Sequence, residues 1–191
     1  MSDALFALGV LGYGVMYALP HVFFRRDTKR RFNFMWWMVA LPFTAAPIAL
    51  VLSFLGKMPL VLDASSSAAH VLQVIAVPFL VGSIALVAAT VASHRVPLAL
   101  WHQPDDAPRT LVTHGPYKVV RHPFYVSFVL LLVGSALLSP DLVSLVSLVS
   151  GISALWTTAA REEQRLLASE FGGEYAAYKA RTGRFLPRLT A

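Results

Sequence analysis

Two short stretches of the sequence hold residues able to do chemistry together. The first reads Arg109-Thr110-Leu111-Val112-Thr113-His114-Gly115-Pro116-Tyr117 and continues to Arg121-His122-Pro123-Phe124-Tyr125. Gly115 and Pro116 predict a rigid turn that exposes backbone groups. Pro123 suits the first turn of a helix, where its missing N–H does no harm. That places His122 at or near the helix N-terminus, where free N–H groups and the dipole favour a carboxylate or other anion. The bland reading of the same residues is an interfacial belt of Arg, His and Tyr.

The second stretch runs Arg161-Glu162-Glu163, then Leu166, Leu167, Phe171-Gly172-Gly173-Glu174-Tyr175, Tyr178 and Arg184-Phe185-Leu186-Pro187. Glu162 and Glu163 directly follow a long apolar run. Carboxylates at such a depth are costly and usually have a defined partner. Leu166, Leu167 and Phe171 keep helical spacing, which predicts an amphipathic helix emerging along a surface, interrupted by Gly172 and Gly173. Glu170 and Glu174 are a like-charge pair that solvent tolerates. Taken singly, each of these residues also fits a solvated helix face.

The elements that must position these stretches are set by composition. The 191 residues are 57% hydrophobic and 14% charged, with a mean hydropathy of +0.63. Soluble domains run at about 45–50% apolar and about 25% charged, so the expected solvent is lipid. The 16 Lys and Arg against 10 Asp and Glu give a net charge of +6. These cations flank apolar runs, which assigns them to membrane orientation and anionic headgroups rather than to nucleic acid. The absence of cysteine excludes disulfides, thiolate nucleophiles and Cys-ligated metals.

About 20 mostly apolar residues are needed to cross the hydrocarbon as a helix. Five segments are expected to do so: Ala4 to Phe24, Phe34 to Leu55, Ala68 to Ala92, Phe124 to Ser139, which is short, and Asp141 or Leu142 to Ala160. The fold expected is an all-α integral membrane protein of about five transmembrane helices with a cytoplasmic C-terminal amphipathic helix. It forms one membrane domain over 1–191, with three spans in 1–92 and the loop, helical hairpin and C-terminal helix in 93–191. The first run lacks a basic leader and a small-residue cleavage site, so it is expected to be retained. Trp36 and Trp37 are expected as interfacial anchors. Pro42, Pro47 and Pro78 should bend their helices, with neighbours re-satisfying the freed carbonyls. The small residues Ser144, Ser147, Ser150, Gly151 and Ser153 should pack the fifth span closely, against the fourth.

Basic and non-basic connections alternate. Arg25, Arg26, Lys29, Arg30 and Arg31 oppose only Asp27 after the first span, whereas Lys57 stands with Asp63 after the second. Arg95, Arg109, Lys118 and Arg121 follow the third, and Ser139-Pro140-Asp141 carries no cation. Arg161, Arg165, Lys179, Arg181, Arg184 and Arg188 follow the fifth. The positive-inside tendency then puts the N-terminus outside and both basic connections and the C-terminal segment in the cytoplasm.

The pattern Gly-Pro-Tyr-x3-Arg-His-Pro-x-Tyr, a helical hairpin, then Glu-Glu-x2-Leu-x4-Phe-Gly-x-Glu-Tyr-x2-Tyr and Arg-Phe-Leu-Pro resembles the isoprenylcysteine carboxyl methyltransferases and phospholipid methyltransferases. The resemblance runs from Arg109 to Pro187 and implies a small membrane enzyme that uses S-adenosylmethionine. It further implies a cofactor shell of Gly115, Pro116, Tyr117, Arg121, His122, Pro123, Tyr125, Glu162 and Glu163, with a lipophilic acceptor entering from the bilayer. A carboxylate acceptor would want an arginine to hold it, for which Arg95, Arg181 and Arg184 are candidates. An amine acceptor would want a carboxylate or tyrosine to take its proton, as Glu162 or Tyr178 could. Isoprenylcysteine-type members carry an arginine about one turn before the paired glutamates, where this chain has Thr157, Thr158 and Ala159. That departure argues against a prenylcysteine carboxylate specifically.

Membrane sterol reductases share part of the pattern around Arg-His-x-x-Tyr and use a nicotinamide cofactor, so reduction is the alternative chemistry. A non-catalytic membrane partner of the same fold is the other alternative. No metal is expected. His21 and His70 sit near span ends, and His94 and His102, with Asp105 and Asp106, lack compact ligand spacing. The sequence carries no signal for oligomeric state.

Overall fold

The structure, a computed structural model, describes residues 1–23, 34–63, 65–93 and 111–188. Arg95 and Arg109, the basic run from Arg25 to Arg31, and His94, His102, Asp105 and Asp106 lie outside the described residues, as do the side chains of His21, Trp36 and Trp37. Among the described residues the chain is all-helical: α1 (Asp3–Phe23), α2 (Phe34–Phe54), α3 (Ser67–Ser93), a 3-10 turn (Gly115–Lys118), α4 (Pro123–Leu138), α5 (Leu142–Leu167) and α6 (Gly172–Arg181).

The helix starts are written locally. Ser66 Oγ accepts from Ala69 N at 3.1 Å ahead of α3. Pro123 occupies the first turn of α4. Asp141 caps α5 by accepting from Ser144 N at 2.8 Å, the exchange that satisfies a donor no helical carbonyl can reach.

Packing is centred on α4, which touches α1, α2, α3 and α5. Leu50, Leu80, Leu131, Leu132 and Val87 are among its fully buried neighbours and members. Small residues let the backbones close up. A Cβ at Gly134 of α4 would lie 2.6 Å from Leu80 of α3, and one at Gly151 of α5 would lie 2.5 Å from Leu132 of α4 and 3.5 Å from Pro42 of α2. The small face of α5 therefore serves α2 as well as α4, not α4 alone as expected. The physical reason is the hairpin's shape: α4 is only 16 residues long and α5 is 26, so α5 has more length than its partner can cover.

Pro47 has no N–H for the Phe43 carbonyl four residues back. The Tyr17 hydroxyl of α1 donates to that carbonyl, so the neighbouring helix repairs the defect as expected. Tyr17→Phe should cost about 1 kcal/mol by leaving the carbonyl unpaired, read as a lowered melting temperature of the detergent-solubilised protein.

Two expectations need correction. Among the described residues two helices, not five, are both long and apolar enough to cross a membrane by length and composition: α3 with 27 residues and α5 with 26. The described apolar parts of the others, Asp3–Leu19, Ala40–Phe54 and Pro123–Leu138, are shorter. At about 1.5 Å per residue, α4 spans roughly 24 Å, short of about 30 Å of hydrocarbon. The second concerns the end of the hairpin. The fifth helix does not give way to an amphipathic helix that Gly172 and Gly173 interrupt. It continues through Arg161, Glu162 and Glu163 to Leu167, and the two glycines open α6. The turn between them brings Gly172 so close that a Cβ there would sit 2.5 Å from the Leu167 carbonyl oxygen.

Candidate functional site

The two chemically promising stretches meet where the α4–α5 hairpin opens. Gly115 adopts φ +60°, a left-handed conformation that glycine reaches without penalty, and lies against Ser93 at the end of α3. The 3-10 turn buries Tyr117, and the Tyr178 hydroxyl of α6 donates to the Tyr117 carbonyl at 2.7 Å. Beyond α6 the chain returns alongside the first stretch. Arg121 N donates to Gly183 O at 2.8 Å and His122 N to Arg184 O at 3.2 Å, a parallel bridge that brings Arg184 and Phe185 over the start of α4.

Glu162 and Glu163 are neighbours on α5 and so point about 100° apart. Glu163 faces inward, with 1% of its side chain exposed. It accepts from Arg121 Nε at 3.0 Å and from Arg184 Nε and Nη2 at 3.0 and 2.9 Å. His122 Nε2 stands 3.3 Å away and Lys179 Nζ 3.6 Å. Burial alone would raise its carboxyl, but the hydrogen bonds from His122, Arg184 and Arg121 outweigh that and hold it well below the usual carboxylate range. Arg121 also donates through Nη1 to the Lys179 carbonyl at 3.3 Å and to that of Thr182, so it ties the end of α6 to Glu163.

Glu162 has a different environment. Tyr125 donates to it at 2.5 Å and His122 Nδ1 lies 3.6 Å away. Although 32% of its side chain stays accessible, protein crowds the carboxyl, and burial raises it above the ordinary value against the lowering influence of His122, Tyr125 and Arg165. The two carboxyls thus sit in unlike environments, one lowered by its ring of donors and one raised by burial, with His122 between them.

Aromatic rings surround this corner. His122 stacks on Tyr125, centroids 5.4 Å apart, and Phe185 stands edge-on to His122 at 6.1 Å and to Trp156 at 5.6 Å. The Arg184 guanidinium lies 4.5 Å from the Trp156 ring centre, a cation–π contact.

The structure therefore brings Arg121, His122, Tyr125, Glu162, Glu163 and Arg184 into one cluster, with Pro123 starting the helix beneath it. Gly115, Pro116 and Tyr117 adjoin it through the Tyr178 bond. Tyr178 is buried, its pKa pushed up to about 12 by that burial, and its hydroxyl is engaged with a carbonyl, so its contacts are those of a positioning residue. Arg181 is exposed, its guanidinium 5.9 Å from the Tyr178 ring. Sequence reasoning missed Lys179 and Trp156. The signal for Trp156 was weak: a lone indole two turns before the glutamates, at the same helical end.

Residues 72–174 match the phospholipid methyltransferase family, more than half of the 191 residues. The chain belongs to that family. The matched region contains the turn, the hairpin and both glutamates, and stops just before Tyr175. Two further proteins are similar over a shorter part. The cobalt-zinc-cadmium resistance protein CzcN of Cupriavidus metallidurans is 40% identical over 81 residues. The nickel-cobalt-cadmium resistance protein NccN of Alcaligenes xylosoxydans xylosoxydans is 34% identical over 80. Each match covers 42% of this chain and 37% of the relative, so well under half of either relative's length is shared.

Proposed function

We propose that this protein transfers a methyl group from S-adenosylmethionine to a lipophilic acceptor at a membrane surface. The observation that carries the reading is the ion and aromatic cluster around Glu162 and Glu163, built at one end of otherwise apolar helices, with Arg121, His122, Tyr125 and both glutamates inside the stretch that matches the family. α1 to α5 would form five spans, the shorter ones accommodated by local thinning of the bilayer, with the cluster on the cytoplasmic face according to the basic connections.

The donor set fits the cofactor. A polar, cationic molecule meets an accessible carboxylate, Glu162, and ring faces on His122, Tyr125 and Phe185, with no demand for a metal ligand or a covalent nucleophile. When bound, the cofactor supplies a methyl group already activated by its sulfonium charge. The chain's own residues then align and desolvate. Glu163 fixes Arg121, His122 and Arg184; Tyr178 holds the Gly115–Lys118 turn; Glu162 is placed to take a proton from an acceptor that arrives with one. A carboxylate acceptor would need a spare arginine; Arg121 and Arg184 are committed to Glu163, which leaves that role to Arg181 or Arg95, whereas an amine acceptor would use Glu162.

The names of CzcN and NccN support a second reading, in which the protein modifies or accompanies membrane components during metal resistance. Among the described residues no group of three or more His, Asp and Glu is arranged to hold a metal ion.

Calorimetry on the purified protein should show binding of S-adenosylmethionine and its demethylated product, and none of NADPH. NADPH binding alone would replace methyl transfer by reduction, and binding of neither would favour the partner role. His122→Ala should weaken nucleoside binding at least tenfold, about 1.4 kcal/mol. Labelled methyl transfer into fractionated membrane lipids and prenylcysteine analogues would then name the acceptor.

A further inference from the structure

The two glutamates are unequally compensated. Glu163 is surrounded by two guanidiniums, an ammonium and an imidazole. Among the described residues Glu162 has the Tyr125 hydroxyl at 2.5 Å and His122 Nδ1 at 3.6 Å as close partners, with Arg165 a further positive charge acting on it, and it keeps an accessible edge. The groups that hold it are themselves ring faces: His122 and Tyr125 are stacked within 4° of parallel, and Phe185 is edge-on to both, at 6.1 and 6.4 Å. A carboxylate with one accessible edge, set among aromatic rings, attracts a compact, weakly hydrated cation, through charge and through the rings' negative faces. The same aromatic series already holds one cation, Arg184 on Trp156, whose charge is neutralised by its two-point pair with Glu163.

We propose that Glu162, together with the His122–Tyr125–Phe185 rings, reads the positive charge of the methyl donor's sulfonium, and so distinguishes the charged donor from its neutral demethylated product. The inference rests on the S-adenosylmethionine reading above and adds a division of labour within the glutamate pair: Glu163 builds the site and Glu162 senses charge. The two nucleosides differ only in one methyl group and one charge, so any difference in how a substitution affects them isolates this contribution. Methyl transfer removes the charge, and with it the attraction at this corner, which would speed exchange of product for fresh donor.

The test is titration calorimetry of the wild type, Glu162→Gln and Phe185→Leu with three ligands. These are S-adenosylmethionine, S-adenosylhomocysteine and sinefungin, which carries an ammonium near the position of the sulfonium. Glu162→Gln should weaken the two charged ligands by about tenfold and the neutral one by less than about twofold. Phe185→Leu should weaken the charged pair by about threefold. Retained S-adenosylhomocysteine affinity shows that each variant's site is intact. Equal losses for all three ligands, or no loss in either variant, would overturn the inference while leaving methyl transfer standing. Failure of the wild type to bind any of the three would overturn both.

Discussion

Glu163→Ala should destabilise the protein by about 3–5 kcal/mol, because it strands the buried Arg121 guanidinium without the carboxylate that pairs it. Arg121 is 8% exposed and His122 10%, so water cannot replace the lost carboxylate. Lys179, at 41%, can turn to solvent and contributes little. The same substitution should reduce S-adenosylhomocysteine affinity at least tenfold, about 1.4 kcal/mol, since Arg121, His122 and Arg184 lose their common anchor. Thermal unfolding in detergent and calorimetry would measure the two effects. Unchanged stability would remove Glu163 from the centre of the site. The depressed carboxyl pKa also sets a pH signature. Stability from Glu163 is fully present above the unfolded-state value of about 4.3 and is lost as pH falls below it towards the folded value. The wild type's melting temperature should therefore drop on acidification through that window, and Glu163→Gln should lose that part of the dependence.

The second large effect is expected at the opposite end of the hairpin. Asp141 is wholly buried and accepts from Ser144 N at 2.8 Å, Ser144 Oγ at 2.7 Å, Ser139 Oγ at 3.1 Å and Ser53 Oγ at 3.3 Å. It joins the end of α2, the end of α4 and the start of α5. The adjoining loop is fastened there too, by Val61 N donating to the Pro140 carbonyl at 2.8 Å. Asp141→Ala removes a helix cap, worth about 0.5–2 kcal/mol, and orphans buried donors at about 1–3 kcal/mol, for an expected total of about 2–4 kcal/mol. Because α4 separates this hub from the glutamates by roughly 24 Å, nucleoside affinity should stay within about twofold of wild type. A melting temperature that falls while calorimetry is unchanged would bear this out; lost binding would show that the two ends are coupled.

The contrast between the ends shows what was legible in the sequence. The helices were, because their apolar runs and the Pro123 and Asp141 starts are local signals, and the structure places the described helix ends near those expected, except that α5 runs on from Ala160 to Leu167. The chemical residues of the family pattern were also readable, since order and spacing carry them. The orientation of the glutamate pair was not. Adjacent helical residues point about 100° apart, and either could have been the inward one until the partners across the fold were known. Arg184 meets Glu163 across 21 residues of chain, a pairing made by the bridge between Val120 and Gly183 rather than by any periodicity. Asp141 read as the start of the fifth span in a turn without a cation; its role as a hub was hidden because Ser53 reaches it across 88 residues of chain. The continuation of α5 past Glu163 was hidden for a similar reason: the need for Gly172 arises from a contact with Leu167 that only the folded turn creates.

The bridge that lays Gly183 to Phe185 along Val120 to His122 has a consequence for how the protein is made. Arg121 and Glu163 are synthesised before Arg184, so the inner carboxylate has only part of its countercharge until the last segment is made. The segment that completes the cluster must be synthesised, released from the exit tunnel and folded back before the site exists. A premature stop between Arg181 and Arg184 would therefore leave every described helix encoded and still yield a protein with an unfinished charge cluster.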